Sequence, residues 1–382
     1  MKRVVILGAT GSIGEQALEV TAGSPELAVV GLSANDGWER LVEQARDHGV
    51  PTIALADPAA AADAAGSWNG RVLSGADGIR ELIAGSDADL VLNGIVGSAG
   101  LGPTIVALAE GIELALANKE SLVVGGELVI ALAEATDTRI IPVDSEHSAL
   151  HQLIASEPPG SVERLVLTAS GGPFRGRRDL GDVSPKQALA HPTWEMGGRI
   201  TIDSATLLNK GFELIEAHHL FGVPYGRIDV VVHPQSIVHA LINLNDGATL
   251  AHLGHPDMRV PISYALHHPD RADVKVPGLD LASVGELAFE PPDLETFPCL
   301  RLAREAGEAG GTAPCVLNAA DEVAVEAFLG GQIAFTAIAE VIERALEALP
   351  AVTPGHFDDL YAVDEEARAR ARELIERVGA AR

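Results

Sequence analysis

Short continuous runs of apolar residues recur through the first third of the chain, and segments with helical periodicity separate them. The runs do not alternate with polar residues, which is typical of strands that are covered on both faces. Helices between successive strands make those strands parallel. The pattern therefore predicts a Rossmann-like, doubly wound parallel α/β sheet. Its predicted strands are Val4–Leu7, Ala28–Leu32, Thr52–Leu55, Leu90–Asn93, Glu113–Leu116 and Ile140–Val143.

A glycine-rich turn joins the first predicted strand to the first helix. It reads Gly8-Ala9-Thr10-Gly11-Ser12-Ile13-Gly14. Glycines at such a turn let the backbone approach a pyrophosphate, and the N–H groups that open the helix can bind it. The spacing is GxxGxxG rather than GxGxxG, but its position between a strand and a helix predicts a dinucleotide site.

The segment after the second strand reads Asn35-Asp36-Gly37 and has two interpretations. An acid at this point accepts hydrogen bonds from a ribose 2′-hydroxyl and repels a 2′-phosphate, which favours NAD. Alternatively, Asn-Asp-Gly is turn chemistry before a helix, and Asp36 faces water. The sequence does not choose between them.

Length and charge limit the classes of partner. With 382 residues the chain is long enough for two or three domains, and its net charge of −27 argues against nucleic acid and anionic membranes as partners. An anionic substrate must then meet a local basic pocket or a bridging metal ion. Neither a signal-peptide pattern nor an apolar run of spanning length is found, which predicts a cytoplasmic protein without membrane contact.

The pattern changes after the first third of the chain. A strand over Leu165–Ala169, a helix beginning near Asp203-Ser204 and a hairpin turning at Asn245-Asp246-Gly247 predict an α+β domain. A long loop at about 171–200 is typical of a lid. We assign residues 1–144 to the Rossmann-like domain, 145–268 to a central α+β catalytic domain, 269–298 to a linker and 299–382 to a C-terminal helical bundle.

Acidic residues follow the last predicted parallel strand, at the edge where open α/β sheets bind ligands. In an extended segment Asp144 and Glu146 point to the same side, so both carboxylates could reach one hard cation. The alternative is a helix cap, in which Asp144 or Ser145 caps the helix and Glu146 favours its dipole. Capping and metal binding can also coexist.

Further candidates lie in the second part of the chain. Glu213 and Glu216 are three residues apart on one helix face and could offer a carboxylate to a metal, although a solvated helix face has the same pattern. Ser204, Asn209 and Lys210 close by form a set suited to phosphate oxygens near a helix start. A further paired feature is that Lys119 and Lys210, two of only five lysines, each follow an asparagine. His191, in the loop, is the histidine that we expect to face a substrate.

The ordered motifs of the chain resemble those of 1-deoxy-D-xylulose 5-phosphate reductoisomerases over nearly the full length. The strings that carry the resemblance are GATGSIG, ANKES, PVDSEH, ASGGPF, HPTWEMGG, IDSATLLNKGFELIEA, VVHPQSIVHA, LGHPDMRVPI and LNAADEVAVEAFL. The resemblance implies an NADPH- and divalent-metal-dependent rearrangement and reduction of 1-deoxy-D-xylulose 5-phosphate to 2-C-methyl-D-erythritol 4-phosphate, a step of non-mevalonate isoprenoid synthesis. It also implies a homodimer and Mg²⁺ or Mn²⁺, with Co²⁺ as a further candidate.

The resemblance also implies roles for individual residues. Lys119, Glu146 and His191 match catalytic positions, with Lys119 between substrate and nicotinamide, and Asp144, Glu146 and Glu213 match the metal ligands. Positions that match cofactor contacts are Thr10, Gly11, Ser12, Ile13, Asn118, Glu120 and Gly197. Positions that match substrate contacts are Lys119, Ser145, Glu146, Ser170, His191, Ser204, Asn209, Lys210 and Glu213.

Asp36 departs from the family pattern, because members often carry a basic residue near this point. The preference for NADPH therefore follows from the resemblance and not from the local residues. Two other functions remain open on the sequence: a metal-free NAD(P)-dependent dehydrogenase of the homoserine-dehydrogenase type, and a nucleotide sensor without chemistry. Metal dependence distinguishes the first alternative, and the need for Lys119 distinguishes the second.

Overall fold

The computed structural model describes residues 1–194 and 196–380; Glu195, within the HPTWEMGG motif, and residues 381–382 lie outside the described residues. The chain packs as two compact units. The first contains Met1–Ser121, Val129–Ser148 and Asp257–Pro277, and the second contains Leu122–Leu128, Ala149–Pro256 and Gly278–Arg382.

A parallel sheet of seven strands forms the centre of the first unit. The strand order is β4-β3-β2-β1-β5-β6-β7, and every neighbouring pair is parallel. The strands are β1 Lys2–Leu7, β2 Leu27–Ala34, β3 Thr52–Leu55, β4 Arg71–Ser74, β5 Leu90–Asn93, β6 Glu113–Leu116 and β7 Ile140–Pro142.

Helices connect these strands. They are α1 Ser12–Ala22, α2 Trp38–Asp47, α3 Pro58–Ser67, α4 Gly75–Gly85, α5 Leu101–Ala109 and α6 Glu120–Ala135, and α7 Ser145–Ala155 follows the last strand. The predicted doubly wound sheet is thereby confirmed. The six predicted strands are all present, whereas β4 is a strand that the sequence did not reveal, because its apolar stretch is only Val72-Leu73.

The sheet is covered on both faces, as the unbroken apolar runs predict. Val4, Val5, Ile6 and Leu7 of β1 are all fully buried. Four consecutive buried residues need a protein layer on each side, because successive side chains of a strand point to opposite faces.

The second unit combines a small mixed sheet with most of the remaining helices. Its strand order is β11-β10-β8-β9, with β8 parallel to β9 and antiparallel to β10. The strands are β8 Val162–Ala169, β9 Ile228–Val232, β10 Val238–Leu244 and β11 Thr249–Leu253. The predicted hairpin is confirmed: Gly247 has φ 90° and donates its N–H to the Leu244 carbonyl at 3.0 Å.

Helices complete both units. Those of the second unit are α8 Pro185–Ala188, α9 Gly198–Ala205, α10 Leu208–Phe221, α12 Leu281–Val284, α13 Cys299–Ala309, α14 Ala313–Leu329, α15 Ala337–Ala348 and α16 Phe357–Ala380, whereas α11 Arg259–His267 belongs to the first unit. Among the described residues, none of these helices is both long and apolar enough to cross a membrane.

The prediction of one helix that begins near Asp203-Ser204 is wrong, because α9 ends at Ala205 and a separate helix, α10, begins at Leu208. Leu207 adopts a left-handed conformation with φ 64° and separates α9 from α10. The Thr206 hydroxyl donates to the Asp203 carbonyl at 3.1 Å and accepts from the Leu208 N–H at 3.3 Å. A threonine that bonds the backbone on both sides competes with the helical ladder, which explains the break.

The structure also groups residues differently from the predicted boundaries at 144/145 and 268/269. Helix α11 packs against α1, β6 and β7, and its Ile262, Ala265 and Leu266 belong to the core of the first unit. An apolar helix face shows that a helix is buried but does not say in which core. The functional division into coenzyme, catalytic and C-terminal domains remains a prediction.

Candidate functional site

The glycine-rich turn of the first unit has the geometry of a phosphate-binding site. Gly8 has φ 76° and its carbonyl accepts the Gly11 N–H at 3.0 Å, so the chain turns sharply from β1 into α1. A Cβ on Gly14 would lie only 2.4 Å from the Ala9 Cα, which requires glycine there. Gly11 and Ser12 are exposed, so the first N–H groups of α1 are accessible to an anion.

Asp36 lies in an exposed turn between β2 and α2. The Trp38 N–H donates to the Asp36 carbonyl at 2.7 Å, which is the turn chemistry that the sequence offered as one interpretation. A Cβ on Gly37 would lie 3.7 Å from the Thr10 hydroxyl oxygen, so this loop adjoins the glycine-rich turn. The Asp36 side chain is thus exposed beside the predicted dinucleotide site.

Asn118 and Glu120 hold the loop that follows β5. The Asn118 amide donates to the carbonyls of Ile95 and Gly97, at 2.8 and 2.9 Å, and to Glu120 at 2.8 Å. The Glu120 carboxylate also accepts the Gly97 N–H at 3.0 Å. Both side chains are buried, and these bonds fix the carboxyl ends of β5 and β6 relative to each other. This scaffolding role was missed from the sequence, because a pairing between two loops leaves no local pattern.

Lys119 is a buried lysine with an acidic partner. Its Nζ donates to Asp144 Oδ2 at 3.2 Å, and Lys119 is 6% exposed. The same Asp144 oxygen lies 3.2 Å from Nδ1 of the fully buried His147. A buried ammonium is tolerated because a carboxylate compensates its charge. Strand order brings these groups together, because β6 and β7 are adjacent parallel strands, and Lys119 follows β6 as Asp144 follows β7.

Asp144 takes part in the start of α7 as well. Its Oδ1 accepts the Ser145 N–H at 3.0 Å, and its backbone carbonyl accepts the Ser148 N–H at 2.8 Å. The Ser145 hydroxyl donates to Glu146 Oε2 at 2.7 Å. Carboxylate oxygens of Asp144 and Glu146 lie within 4.8 Å of each other. The helix-start and metal interpretations are therefore compatible, and the hard oxygen donors fit Mg²⁺ or Mn²⁺.

In the second unit, a turn after β8 and the predicted lid loop meet at Ser170. The Ser170 hydroxyl oxygen lies 3.0 Å from His191 Nε2 and accepts the Gly172 N–H at 3.2 Å. His191 Nδ1 accepts the N–H groups of Thr193 and Trp194, at 3.2 and 2.9 Å. Since Nδ1 is the acceptor, the proton of the neutral ring is on Nε2 and is donated to Ser170.

This arrangement directs the Ser170 hydroxyl. Both lone pairs of its oxygen are taken by the His191 and Gly172 donors, so its own hydrogen is left to donate outward. An outward O–H suits a phosphate or carboxylate oxygen. Burial lowers the pKa of His191 below its ordinary value, which keeps the ring neutral at physiological pH.

Helix α10 brings three of the predicted site residues together. Asn209 Nδ2 donates to Glu213 Oε1 at 2.5 Å, and Lys210 pairs with the other oxygen of Glu213. Lys210, Glu213 and Glu216 are all buried, so the solvated-surface interpretation is wrong. Ser204 lies at the end of α9, where its carbonyl would be 2.7 Å from a Cβ on Gly172. The glycine thus lets the Ser170 turn approach α9 closely.

Arg199 anchors the end of the predicted lid loop. It lies two residues after Gly197, which is exposed, and near the start of α9. Its guanidinium bonds three residues of α14, namely Asn318 at 2.9 Å, Asp321 at 3.3 Å and Glu322 at 2.8 Å. The i, i+3, i+4 spacing of these acceptors places them on one helix face.

A second arginine extends this buried network. Arg368 of α16 bonds Glu322 at 2.6 Å and Asp364 at 2.6 Å. Asp321 is fully buried, and desolvation raises its pKa to about 6, although Arg199 opposes that shift. The sequence does not reveal this network, because a spacing of acids on a helix does not show which arginine contacts them.

A nucleotide-binding α/β protein is the class that this fold defines, and comparisons with known proteins specify it further. Residues 4–126 match the family model of 1-deoxy-D-xylulose 5-phosphate reductoisomerase. Residues 140–221 match the C-terminal domain of the same enzyme, and residues 253–370 match the DXP reductoisomerase C-terminal domain.

Relatives match over nearly the whole chain. The reductoisomerase of Thermomicrobium roseum is 51% identical over 98% of this chain and 98% of its own length, and that of Rhodococcus jostii is 51% identical over 99% and 95%. Solved structures agree. The Zymomonas mobilis enzyme in complex with NADPH has a TM-score of 0.91 and 40% identity, covering 98% of this chain and 99% of its own.

A further reductoisomerase structure, in complex with NADPH, fosmidomycin and magnesium, has a TM-score of 0.93 and 37% identity, with 98% of each chain covered. The chain belongs to the 1-deoxy-D-xylulose 5-phosphate reductoisomerase family. The resemblance and the fold class predicted from the sequence are confirmed, and a metal-free dehydrogenase is not favoured. The roles of the individual site residues remain predictions.

The hydrogen bonds that join His191 Nδ1 to the loop at Thr193 and Trp194 should be sensitive to pH. Protonation of Nδ1 removes the acceptor for Thr193 and Trp194, so the loop should be released as the pH falls. The pKa of His191 in the folded protein is below its ordinary value of 6.5, so the state in which the loop is released binds the proton more readily. The hydrogen bonds to Nδ1 therefore lose stability as the pH falls below about 6.5. We expect Trp194 emission, in a Trp38→Phe/Trp68→Phe background, to shift with a midpoint below pH 6.5.

His191→Asn is the matched control for this titration, since its amide oxygen can replace Nδ1 as an acceptor but does not titrate. Its emission should be constant between pH 7.5 and 5. A shift of equal size in His191→Asn would show that another group controls the loop.

Loss of Arg199 should strongly destabilise the protein at neutral pH. Arg199→Gln leaves the buried Asp321 without its cation, which costs roughly 3–5 kcal/mol of unfolding free energy. Arg301→Gln, which removes half-exposed pairs with Glu305 and Glu343, should cost about 1 kcal/mol or less. Urea unfolding at pH 7.5 measures both. The Arg199→Gln deficit should shrink at pH 5, where Asp321 takes up a proton; equal losses in the two variants would contradict the assignment.

Proposed function

We propose that this chain is an NADPH- and divalent-metal-dependent reductoisomerase that converts 1-deoxy-D-xylulose 5-phosphate to 2-C-methyl-D-erythritol 4-phosphate, a precursor of isoprenoids. The observation that carries the proposal is the agreement with family members over nearly the whole chain, among them structures that contain NADPH, magnesium and fosmidomycin. The accessible start of α1 supports the dinucleotide, and the carboxylates of Asp144 and Glu146 support the metal.

The reaction breaks one carbon–carbon bond of the substrate, forms another, and reduces the resulting aldehyde to an alcohol with uptake of a hydride and a proton. When bound, the metal ion supplies charge stabilisation for oxygen atoms of the substrate, and NADPH supplies the hydride. We assign the metal to Asp144, Glu146 and Glu213. Three carboxylates are hard oxygen ligands, which suit Mg²⁺ and Mn²⁺ and also accept Co²⁺.

Other groups of the chain bind and orient the substrate. The outward hydroxyl of Ser170, fixed by His191, donates to a phosphate oxygen, and Ser204, Asn209 and Lys210 add further donors. Each charge-assisted contact is worth about 1.5–3 kcal/mol. Ser145 orients Glu146 through their 2.7 Å hydrogen bond. The loop at about 171–200 covers the bound substrate and excludes water.

Lys119 serves the reduction step in this proposal. Its Nζ donates to Asp144 at 3.2 Å, which fixes the ammonium beside that carboxylate. The ammonium donates to the aldehyde oxygen as that oxygen gains negative charge, and a buried ammonium stabilises the charge more strongly than an exposed one. Asn118 and Glu120 contribute by fixing the loop at 95–97. The residues that contact the coenzyme in this proposal are Thr10, Gly11, Ser12, Ile13 and Gly197.

In this proposal the enzyme acts in the cytoplasm, because its substrates are soluble metabolites, and it forms the homodimer that the resemblance implies. Light scattering tests the dimer: the expected molar mass is twice the 39.7 kDa of one chain, and a mass of one chain would contradict it.

Removal of the metal should abolish turnover. We expect NADPH oxidation with 1-deoxy-D-xylulose 5-phosphate to stop in EDTA and to return with Mg²⁺ or Mn²⁺. Glu213→Gln keeps the shape of the side chain but removes its charge, so kcat/KM should fall by about 100-fold or more. Glu163→Gln is the matched control, since Glu163 is exposed on β8 and should keep normal activity.

Lys119→Met tests the reduction step separately, with Lys275→Met, at an exposed lysine outside the loop at about 171–200, as its control. Turnover should fall by about 100-fold or more in Lys119→Met alone.

Full activity of Glu213→Gln would remove the metal assignment, and NADPH oxidation that needs no divalent ion would favour the dehydrogenase alternative.

A further inference from the structure

The predicted coenzyme site of this chain is acidic where NADPH carries its extra phosphate. The segments that follow β1, β2 and β3 are residues 8–15, 35–43 and 56–59. They contain one basic residue, Arg40, against five acids, which are Glu15, Asp36, Glu39, Glu43 and Asp57. The 2′-phosphate of NADPH is read near the end of the second strand of such folds, and an acid there repels it. Arg40 is therefore the one cation of these three segments that could attract the phosphate.

Arg40 lies where it can supply that cation. It is the third residue of α2, and its guanidinium bonds Glu15 in the first turn of α1 through Nε, at 3.1 Å. It therefore bridges the starts of the two helices that follow β1 and β2. The loop between β2 and α2 adjoins the glycine-rich turn at Gly37 and Thr10, so the guanidinium lies on the same edge as the predicted dinucleotide site.

The guanidinium has donors in reserve. Its contacts are Glu15, through Nε and NH2, each at 3.1 Å, and Glu43, through NH1 at 2.7 Å. The side chain is 51% exposed, and Arg has five N–H donors, of which these contacts use three. A planar fork with free donors can bind a phosphate in a bidentate manner.

We propose that Arg40 is the residue that selects NADPH over NADH in this chain, by binding the 2′-phosphate, and that Glu15 competes with the phosphate for the guanidinium. The proposal rests on the proposed function, because it takes NADPH as the coenzyme. Asp36 repels the same phosphate, so the selectivity is modest and depends on Arg40 alone. Arg40 is a specificity residue and takes no part in the chemical steps.

The test is equilibrium binding of NADPH and NADH to the full chain, without substrate, by isothermal titration calorimetry. Arg40→Gln should weaken NADPH by about 10- to 100-fold, the value of a lost charge-assisted contact, and leave the Kd of NADH within about twofold. Glu15→Gln should tighten NADPH several-fold and leave NADH unchanged. Arg46→Gln, at an exposed arginine in the last turn of the same helix, is the matched control and should change neither.

A second pair of ligands separates a phosphate contact from a structural role. Adenosine 2′,5′-bisphosphate should lose affinity in Arg40→Gln to the same degree as NADPH, whereas 5′-AMP should not. Equal weakening of NADPH and NADH would mean that Arg40 only supports the fold, and an unchanged NADPH/NADH ratio would mean that another group reads the phosphate; either result overturns the proposal. The proposed function is tested separately, by NADPH oxidation with 1-deoxy-D-xylulose 5-phosphate in the wild type. If that reaction occurs, the proposed function stands even where the Arg40 variants overturn the role of Arg40.

Discussion

Parallel pairing of β1 with β2 on one side and β5 on the other is the constraint on which the first unit depends. Parallel strands bring all their carboxyl ends to one edge, so segments far apart in sequence meet there. The glycine-rich turn follows β1, Asp36 follows β2, Asn118 follows β6 and Asp144 follows β7. The sheet core itself is apolar, since Val4–Leu7 of β1 are fully buried, so the polar groups lie on the segments that follow the strands. Site geometry at this edge is therefore a consequence of strand order.

Buried charge is handled in the same way in both units. Lys119 lies beside Asp144, Lys210 beside Glu213, and Arg199 beside Asp321. In each case a cation that water cannot solvate is compensated by a carboxylate, as burial of charge requires. The consequence for function is that neither lysine is an uncompensated positive charge. An anionic substrate gains attraction only if the paired carboxylate is itself engaged, and a divalent cation on Asp144 or Glu213 would provide that engagement.

The sequence predicted the elements that depend on local pattern. Continuous apolar runs identify buried strands, and Asn245-Asp246-Gly247 identifies a hairpin, because only the chain itself is needed for these signals. The site residues were named mainly by resemblance. Features that depend on a partner far away in sequence were not predictable: the bond from Asn118 to the 95–97 loop, the meeting of Arg199 with α14, and the core that buries α11. The break at Leu207 was missed for a related reason, since a left-handed leucine is stable only where its side chain is packed, and this one is buried.

The strongly acidic surface makes the local arrangement of donors more important than the overall field. A net charge of −27 repels both a phosphorylated substrate and a dinucleotide at long range, although salt screens this repulsion beyond about 8–10 Å. Binding must then come from short-range, directed donors. In the structure, neighbouring groups orient such a donor. His191 and the Gly172 N–H occupy the lone pairs of the Ser170 hydroxyl oxygen, so the hydroxyl must donate outward. The N–H groups at the start of α1 are also accessible, and such backbone donors carry no net charge and are fixed by the helix. Oriented donors of this kind would let so acidic a chain attract an anion at short range, where the overall field does not help.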